Sequence, residues 1–296
     1  MSRSRVAAFL LVLLSLTMQI VCVHAAESDI NSANSFISLG ADLTDAERQI
    51  VLGFFNLDEV DLSNYNVITI TNQEEHEYLD AHLDKGLIGN RALSSVMVTT
   101  REKGYGIHVI TQNISYCTVG MYQNALATAG IKDADIMVVG PFSISGTAGL
   151  LGAIRSYEGL TGQAMDSEQI EAANQELAVS SRLGQVLDDP VRAEQLISII
   201  KDKVIDNDYS QEKVGEIIDQ TAAEMQISLT EEDRQRILEL MDQVDKLDLN
   251  MEDIKLQISD LYAQLQNVTL HVEEEQAKGF LNRLWERFES FVMNLF

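Results

Sequence analysis

Residues 105–149 constrain the fold more than any other stretch, because their hydrophobic period changes twice. The β-branched runs at 107–111 and 135–139 predict strands, and apolar residues at helical spacing between 121 and 129 predict a helix. Gly130 stands where a helix usually takes its C-terminal glycine. We therefore predict a strand, helix, strand unit, followed by a loop rich in serine and glycine and then a second apolar helix.

The strands before this unit suggest how the sheet is built. Residues 67–71 and 94–101 predict two more strands, and the turn at Lys103-Gly104 predicts a tight hairpin between 94–101 and 105–112. The resulting order is β-α-β-β-α-β, which is the ferredoxin-like order. An open parallel sheet is the alternative, but strands joined by so short a turn must be antiparallel.

Two features precede the first of these strands. Residues 27–38 are polar and weakly patterned, and we predict a short lead-in without regular structure. Thr44 and Glu47 form a capping box, in which each side chain satisfies a free amide at the start of a helix.

The chain divides into four predicted parts. Residues 1–25 form a signal peptide and 26–188 an α/β domain, and the fold class is α+β because only helices are predicted after Gly149. Asp189-Pro190 marks the boundary to an acidic helical region at 189–275, since proline favours the first helical turn. Residues 276–296 form an amphipathic aromatic helix.

The N-terminus indicates export. Arg3 and Arg5 precede an apolar run at 6–23, and cleavage after Ala25 fits a signal peptide; a retained membrane anchor is the alternative. Cleavage removes Cys22, and the remaining Cys117 then has no partner for an internal disulfide. We therefore expect a secreted or extracytoplasmic protein, either free or held at the outer face of the cell membrane, with a buried thiol.

The charge excludes one class of partner. The 296 residues carry 21 lysines and arginines against 46 aspartates and glutamates, a net charge of -25. Binding to nucleic acid depends on basic side chains that displace counterions, so we expect no nucleic-acid partner. Asp206-Asn207-Asp208 lacks the glycine and terminal glutamate of a calcium loop. No metal or cofactor is expected.

Polar residues at predicted strand ends are the candidate ligand-binding set. No metalloprotease, phosphate-loop or nucleophile-elbow motif occurs in the sequence. A ferredoxin-like order would separate two members of the set from the others, whereas a parallel sheet would bring all of them together. The set comprises Asn72, Asn113, Ser143, Ser145 and Thr147. His76 and Asp80 lie one helical turn apart, a spacing that would allow them to share a metal ion. We nevertheless expect a solvated acidic face at these positions.

A heptad stripe runs from Ile237 to Val272, with apolar residues alternating at spacings of three and four. Such a stripe is typical of a coiled coil, which would allow self-association. Further leucines widen the apolar face, so we favour helices packed within one chain and keep an intermolecular coiled coil as the alternative.

Several segments together carry a family resemblance, the most specific being Tyr122-Gln-Asn-Ala-Leu-Ala-Thr-Ala-Gly130. The others are 68–75, 113–115 and 145–148 with Tyr157, Glu158 and Gly162. On these residues the chain resembles the YpuA-like exported proteins of Gram-positive bacteria, family 1002 of domains of unknown function. The resemblance implies a signal peptide and an extracytoplasmic location, and it supplies no activity to carry over.

These observations predict a non-enzymatic binding or interaction protein that is secreted or associated with the cell envelope. No Ser, His and carboxylate set can be assembled from sequence spacing. The alternative function is an extracytoplasmic hydrolase that acts on envelope polymer with polar residues gathered at strand ends.

We predict that the C-terminal helix makes peripheral contact with the outer face of a membrane. Its apolar face includes Leu284, Trp285, Phe288 and Phe291, and each large side chain removed from water contributes roughly 1.5 to 3 kcal/mol. A truncation after Gly279 should therefore leave folded protein in solution when it is sedimented with neutral vesicles, whereas the longer chain should sediment. Unfolding or aggregation of the truncated protein would show instead that this face packs on the protein itself.

Overall fold

The computed structural model describes residues 32–205, 207–247 and 249. The predicted signal peptide, the later part of the heptad stripe and the aromatic C-terminal helix lie outside the described residues.

The described residues form five strands and nine α-helices, with a short 3-10 helix at Asp61–Asn64. The protein is thus mixed α and β, as its sequence predicts. The strands are β1 (Ser35–Gly40), β2 (Asn66–Ile70), β3 (Ser95–Thr100), β4 (Ile107–Ile114) and β5 (Ala134–Ile144). The helices are α1 (Asp45–Phe54), α2 (Asn72–Leu79), α3 (Lys85–Ile88), α4 (Val119–Thr128), α5 (Ala148–Thr161), α6 (Ser167–Leu187), α7 (Pro190–Val204), α8 (Gln211–Glu224) and α9 (Glu231–Val244).

The strands form one mixed sheet in the order β2-β1-β3-β5-β4. Strand β1 is parallel to β2, β4 is parallel to β5, and the central β3 is antiparallel to both of its neighbours. Four strands therefore point the same way. Their carboxyl ends and the beginning of β3 lie along a single edge of the sheet.

The predicted hairpin between β3 and β4 does not form, and the ferredoxin-like order is wrong for this reason. Strand β5 lies between the two, and both pair with it at Ala134. The intervening loop instead wraps around Asp133, whose Oδ1 accepts hydrogen bonds from the N–H groups of Gly104 and Gly106, both at 2.9 Å. The Arg101 N–H donates to the Asp133 carbonyl at 2.6 Å. The loop thus binds the start of β5 and leaves room for it to enter the sheet.

The predicted lead-in at 27–38 is also corrected, because its last residues belong to β1. The sequence hides this strand, since Ser35 and Ser38 interrupt its apolar pattern. Both serines are buried, and the Ser35 hydroxyl forms a 2.8 Å hydrogen bond with the Thr99 hydroxyl on β3. Ser38 faces α5, where a side chain at Gly152 would collide with its hydroxyl. Small side chains at these positions allow the helix to lie close to the sheet.

Each face of the sheet buries its own set of side chains, because neighbouring residues of a strand point to opposite faces. On one face, Ile37 and Leu39 of β1 pack with Met97 and Val139 in an apolar cluster to which α1 also contributes side chains. The opposite face packs against α4, α5 and α6 through Val96, Val98, Ile136 and Val138. The predicted capping box at Thr44 and Glu47 is present at the start of α1.

Helices α6 to α9 share a second apolar cluster. Ile237, Leu240 and Val244, the first residues of the heptad stripe, are all buried in it. This part of the stripe therefore packs within the chain. Leu247, the next member, is partly buried against the same cluster. The stripe beyond Leu247 lies outside the described residues, and self-association through it stays a prediction.

Buried polar contacts connect helix α4, which packs against the sheet, to helices α6 and α7, which share the cluster of the helical region. The Lys201 ammonium on α7 donates to Glu176 Oε1 on α6 at 2.6 Å, and to the Asn124 carbonyl and the Thr128 hydroxyl on α4, both at 3.1 Å. Lys201 is 1% exposed and Glu176 is fully buried. The Asn124 amide also donates to the Ser198 hydroxyl at 2.6 Å. Three helices are thereby held in one register.

Removing one partner of this buried pair should destabilise the protein strongly. Lys201→Met leaves the Glu176 carboxylate buried without a cation, which should lower the free energy of unfolding by about 3 to 5 kcal/mol in urea titrations. The double variant Glu176→Leu with Lys201→Met should recover most of that loss. Lys213→Met, which breaks an exposed ion pair with Glu216, serves as the control and should change stability by less than about 1 kcal/mol. If Lys201→Met and Lys213→Met changed the free energy of unfolding equally, a structural role for the buried pair would be contradicted.

Candidate functional site

A cleft of about 570 Å³ opens at the edge of the sheet where the four parallel strands end. One wall is the segment that contains α3 and leads into β3, and the other is the end of β5 with the loop that connects it to α5. Residues that follow β4, one residue of α2 and one of α6 complete the lining. The carboxyl edge of parallel strands is where open α/β sheets commonly bind ligands, and this volume suits a small molecule. The polar lining residues are Glu75, Asn90, Arg91, Ser94, Ser115, Tyr116, Ser143, Ser145, Thr147 and Gln185.

The five candidate residues of the sequence meet at this edge in unequal roles. Ser143, Ser145 and Thr147 line the cleft. Asn72 supports it from behind, because its Nδ2 donates to Glu75 Oε2 at 3.0 Å and to the Gly89 carbonyl at 3.4 Å. Three members of the set therefore face one space and a fourth bonds its wall. That these residues bind a ligand stays a prediction.

Asn113, the fifth candidate, shapes the loop from a distance and does not line the cleft. It adopts a left-handed backbone conformation with φ of 59°, and its Nδ2 donates to the Gly140 carbonyl at 3.0 Å. The register of β4 and β5 shifts at this point, so that Ile114 pairs with Ile144. Pro141, which has no N–H to donate, falls in the irregular stretch. The bulge lets β5 run past the predicted strand at 135–139 and carries the following serines to the cleft.

Glu75 is the acidic group of the cleft. The capping box of α2, in which Thr71 and Glu74 bond each other's backbone N–H groups, fixes the first turn of the helix. The next residue, Glu75, points inward and is 2% exposed. Burial raises the pKa of Glu75 to about 7, and the nearby Asp42 also raises it, while the Asn72 hydrogen bond and His76 oppose the change. The carboxyl group therefore exchanges its proton near neutral pH.

Arg91 is the one basic side chain among the residues that line the cleft. A carboxylate and a backbone carbonyl already accept its hydrogen bonds. Its Nη2 donates to Glu47 Oε2 at 2.6 Å and to the Asp42 carbonyl at 2.8 Å. The hydrogen bond from Arg91, together with the backbone N–H of Thr44, lowers the pKa of Glu47 to about 2. Arg91 thus closes a surface ion pair at the rim, and the lining has no uncommitted cation.

Hydroxyl and aromatic groups form the rest of the surface. The Tyr116 hydroxyl is buried without a hydrogen-bond partner in the part of the chain that the structure describes. Phe142, in the opposite wall, is 48% exposed. The β5–α5 loop is held from below, where the Tyr122 hydroxyl donates to the Gly146 carbonyl. The cleft therefore combines apolar faces with several groups that can both donate and accept hydrogen bonds.

Other titratable residues named in the sequence are structurally satisfied. His76 Nδ1 lies 2.6 Å from Asp80 Oδ1, and His76 Nε2 lies 2.9 Å from the Gly89 carbonyl. His82, which follows α2, has its Nε2 atom 2.7 Å from Glu171 Oε1 on α6. Cys117 is buried, as predicted, and burial raises the pKa of its thiol to about 12. Over residues 32–205, 207–247 and 249 no group of three or more potential metal ligands occurs.

Glu75 is the residue that sequence reasoning missed. The fourth helical position after an N-cap usually carries an apolar residue that staples the chain entering the helix. In α2 that position holds a glutamate, immediately after the capping glutamate. An acidic residue in place of the apolar staple is the signal that identifies it.

None of the helices in the described part of the chain has both the length and the hydropathy needed to cross a membrane.

Comparison with known proteins places the chain beside proteins without an assigned activity. A family model described as "Protein of unknown function (DUF1002)" matches residues 39–261. The "Uncharacterized protein YpuA" of Bacillus subtilis (strain 168) is 34% identical over 282 residues, which cover 94% of this chain and 92% of the relative. No solved structure matches the chain.

The buried carboxyl group should make stability depend on pH. The usual pKa of 4.5 applies in the unfolded chain, whereas the folded pKa is about 7, so folding loses stability as the pH rises between these values. Glu75→Gln cannot ionise, and above pH 7 it should exceed the unsubstituted protein in free energy of unfolding by up to about 3 kcal/mol. At pH 4 the two proteins should match.

Urea titrations at several pH values measure this difference. Glu77→Gln, an exposed position of the same helix, should follow the unsubstituted protein at every pH. Glu194, whose pKa burial also raises to about 7, contributes equally to all three proteins and cancels. A difference between Glu75→Gln and the unsubstituted protein that does not change with pH would contradict the raised pKa.

Proposed function

We propose that this chain, which belongs to the DUF1002 family, is an exported protein, secreted or associated with the cell envelope, that binds a small polar ligand in the cleft. The observation that carries the proposal is the convergence of strand ends on one cleft. Serine and threonine hydroxyls, a buried carboxyl group and two aromatic side chains line it, a mixture typical of sites that bind polar ligands with some apolar surface.

Binding is favoured over catalysis by the composition of the lining. A glycosidase of the usual kind needs two carboxyl groups across the scissile bond, and Glu75 is the one carboxylate that lines this cleft. A serine nucleophile needs an adjacent base, and Ser143 and Ser145 have neither a histidine nor a carboxylate among their hydrogen-bond partners in the described residues. One observation supports the alternative of a hydrolase of envelope polymer: the pKa of Glu75 near 7 suits a general acid or base.

Export and membrane contact rest on the sequence. The basic and apolar N-terminus supports export, and the aromatic C-terminal helix supports peripheral contact with the outer face of the membrane. The heptad stripe beyond Leu247 supports self-association. In this proposal the helical region and C-terminus position the protein, and the cleft faces the extracytoplasmic space.

The ligand is sought among soluble peptide and oligosaccharide fragments of bacterial envelope polymer. Isothermal titration calorimetry with the mature protein should detect binding of at least one fragment. Ser143→Trp places a large ring in an exposed wall of the cleft and should abolish that binding without unfolding the protein. Val60→Trp, at a position that is 78% exposed and outside the lining, should bind as the unsubstituted protein does.

The same samples distinguish the two functions. Chromatography of the fragments after incubation should recover them intact if the protein only binds them. Cleaved products that disappear with Glu75→Gln would favour the hydrolase. If no fragment binds, or if Ser143→Trp binds as tightly as the unsubstituted protein, the cleft is not the ligand site.

A further inference from the structure

We infer that the ligand of this cleft carries a primary ammonium group and that Glu75 is its counter-ion. The inference rests on the proposed function, because it names the ligand chemistry of the same cleft.

The first support is the position of the Glu75 carboxyl group. It lines the cleft, yet the residue is 98% buried because its exposed fraction is 2%. Among the described residues, one side-chain donor reaches it, the neutral amide of Asn72 on Oε2 at 3.0 Å. Its other oxygen, Oε1, has no hydrogen-bond donor in the described part of the chain. One oxygen is therefore available to a group that enters the cleft.

The second support is the missing cation. A buried carboxylate is costly unless a positive charge accompanies it. Among the described residues, two other buried carboxylates have a basic partner: Glu176 lies 2.6 Å from Lys201, and Asp233 lies 3.3 Å from Arg182. Buried Glu194 instead accepts a hydrogen bond from the Thr118 hydroxyl and does not line the cleft. Glu75 forms no ion pair within the described residues, and the basic side chain nearest in the lining, Arg91, is bonded to Glu47. At Glu176 the chain supplies the positive charge through Lys201. At Glu75 an ammonium group of the ligand would supply it.

The third support is the sign of the surrounding charge. Asp42 acts on Glu75 from the loop after β1, and the whole chain has a net charge of -25. A field of this sign attracts cations to a cleft and repels carboxylates and phosphates. The serine and threonine hydroxyls can accept the remaining two hydrogen bonds of an ammonium group, which has three donors.

The charged groups around Glu75 decide how binding should vary with pH. His76 lies on the same helix, Asp42 on the β1–α1 loop, Arg91 on the segment before β3, and Tyr116 on the segment after β4. The pKa of His76 is itself raised by its hydrogen bonds to Asp80 and the Gly89 carbonyl. Comparison with Glu75→Gln, which keeps His76, isolates the contribution of Glu75.

The test uses two pairs of probes, each an amine and its N-acetylated form. The first pair differs in one positive charge and the second, with one amine on each sugar, in two. The first pair is Nα-acetyl-lysine methylamide and its Nε-acetylated form, and the second is the disaccharide of glucosamine and that of N-acetylglucosamine. The pairs distinguish a peptide amine from an amino sugar as the source of the ammonium. The lysine amine has a pKa of about 10.4 and stays charged throughout the titration.

Calorimetry with the mature protein should show that the amine of at least one pair binds about tenfold or more tightly than its acetylated form. Affinity for the lysine probe should rise by up to about tenfold per pH unit below pH 7 and level off above it, because binding releases the proton of Glu75. Titrations in two buffers of different ionisation enthalpy should detect that proton.

Glu75→Gln should weaken amine binding about tenfold or more and remove the proton release. Glu77→Gln removes one negative charge from the exposed face of the same helix and should change neither. Equal binding of amine and acetylated probes, or equal binding by Glu75→Gln, would overturn this inference and leave the proposed function standing if Ser143→Trp still abolishes binding. Failure of all four probes to bind would overturn the ammonium assignment. An envelope fragment whose binding Ser143→Trp abolishes would still retain the cleft as the ligand site.

Discussion

The insertion of β5 between β3 and β4 is the constraint on which the rest of the structure depends. Because β5 pairs antiparallel with one neighbour and parallel with the other, four strands end at the same edge. The cleft lies at that edge because the end of β5, the segment after β4 and the segment that leads into β3 meet there. Asp133 makes the insertion possible by binding the N–H groups of the β3–β4 loop, which would otherwise close a hairpin.

Helix α4 then connects this sheet to the helical region. Most of its residues are buried, and its polar side chains bond in several directions. Gln123 donates to the Ile107 carbonyl on β4 at 2.9 Å, and Tyr122 supports the loop that carries the cleft serines. The Tyr-Gln-Asn-Ala-Leu-Ala-Thr-Ala-Gly segment that carries the family resemblance is therefore a joint among the sheet, the cleft loop and α7. Its residues act through structure and do not enter the cleft.

The elements could be predicted from sequence far better than their arrangement. Period, capping boxes and proline located most helices and strands, because these signals are local. The strand order depends on the hydrogen bonds of Asp133 to Gly104 and Gly106, which are distant from it in sequence. A local sequence pattern does not predict such bonds. Strand β1 was missed because its two serines are buried by neighbours distant in sequence. The serine loop was identified correctly as a strand-end feature, whereas the sheet that joins it to Asn72 was not.

The contrast between Glu75 and Glu176, two of the three buried glutamates in the described part of the chain, links the fold to its chemistry. Glu176 has a lysine, a threonine and full burial, and it holds three helices together. Glu75 has the same side chain and nearly the same burial, but its partner is a neutral amide and it borders an open space. A glutamine or leucine at position 75 would avoid the cost of burying an ionisable group. Retaining an acid there is a disadvantage for folding above neutral pH, and a ligand that neutralises the carboxylate would turn the same group into a source of binding energy.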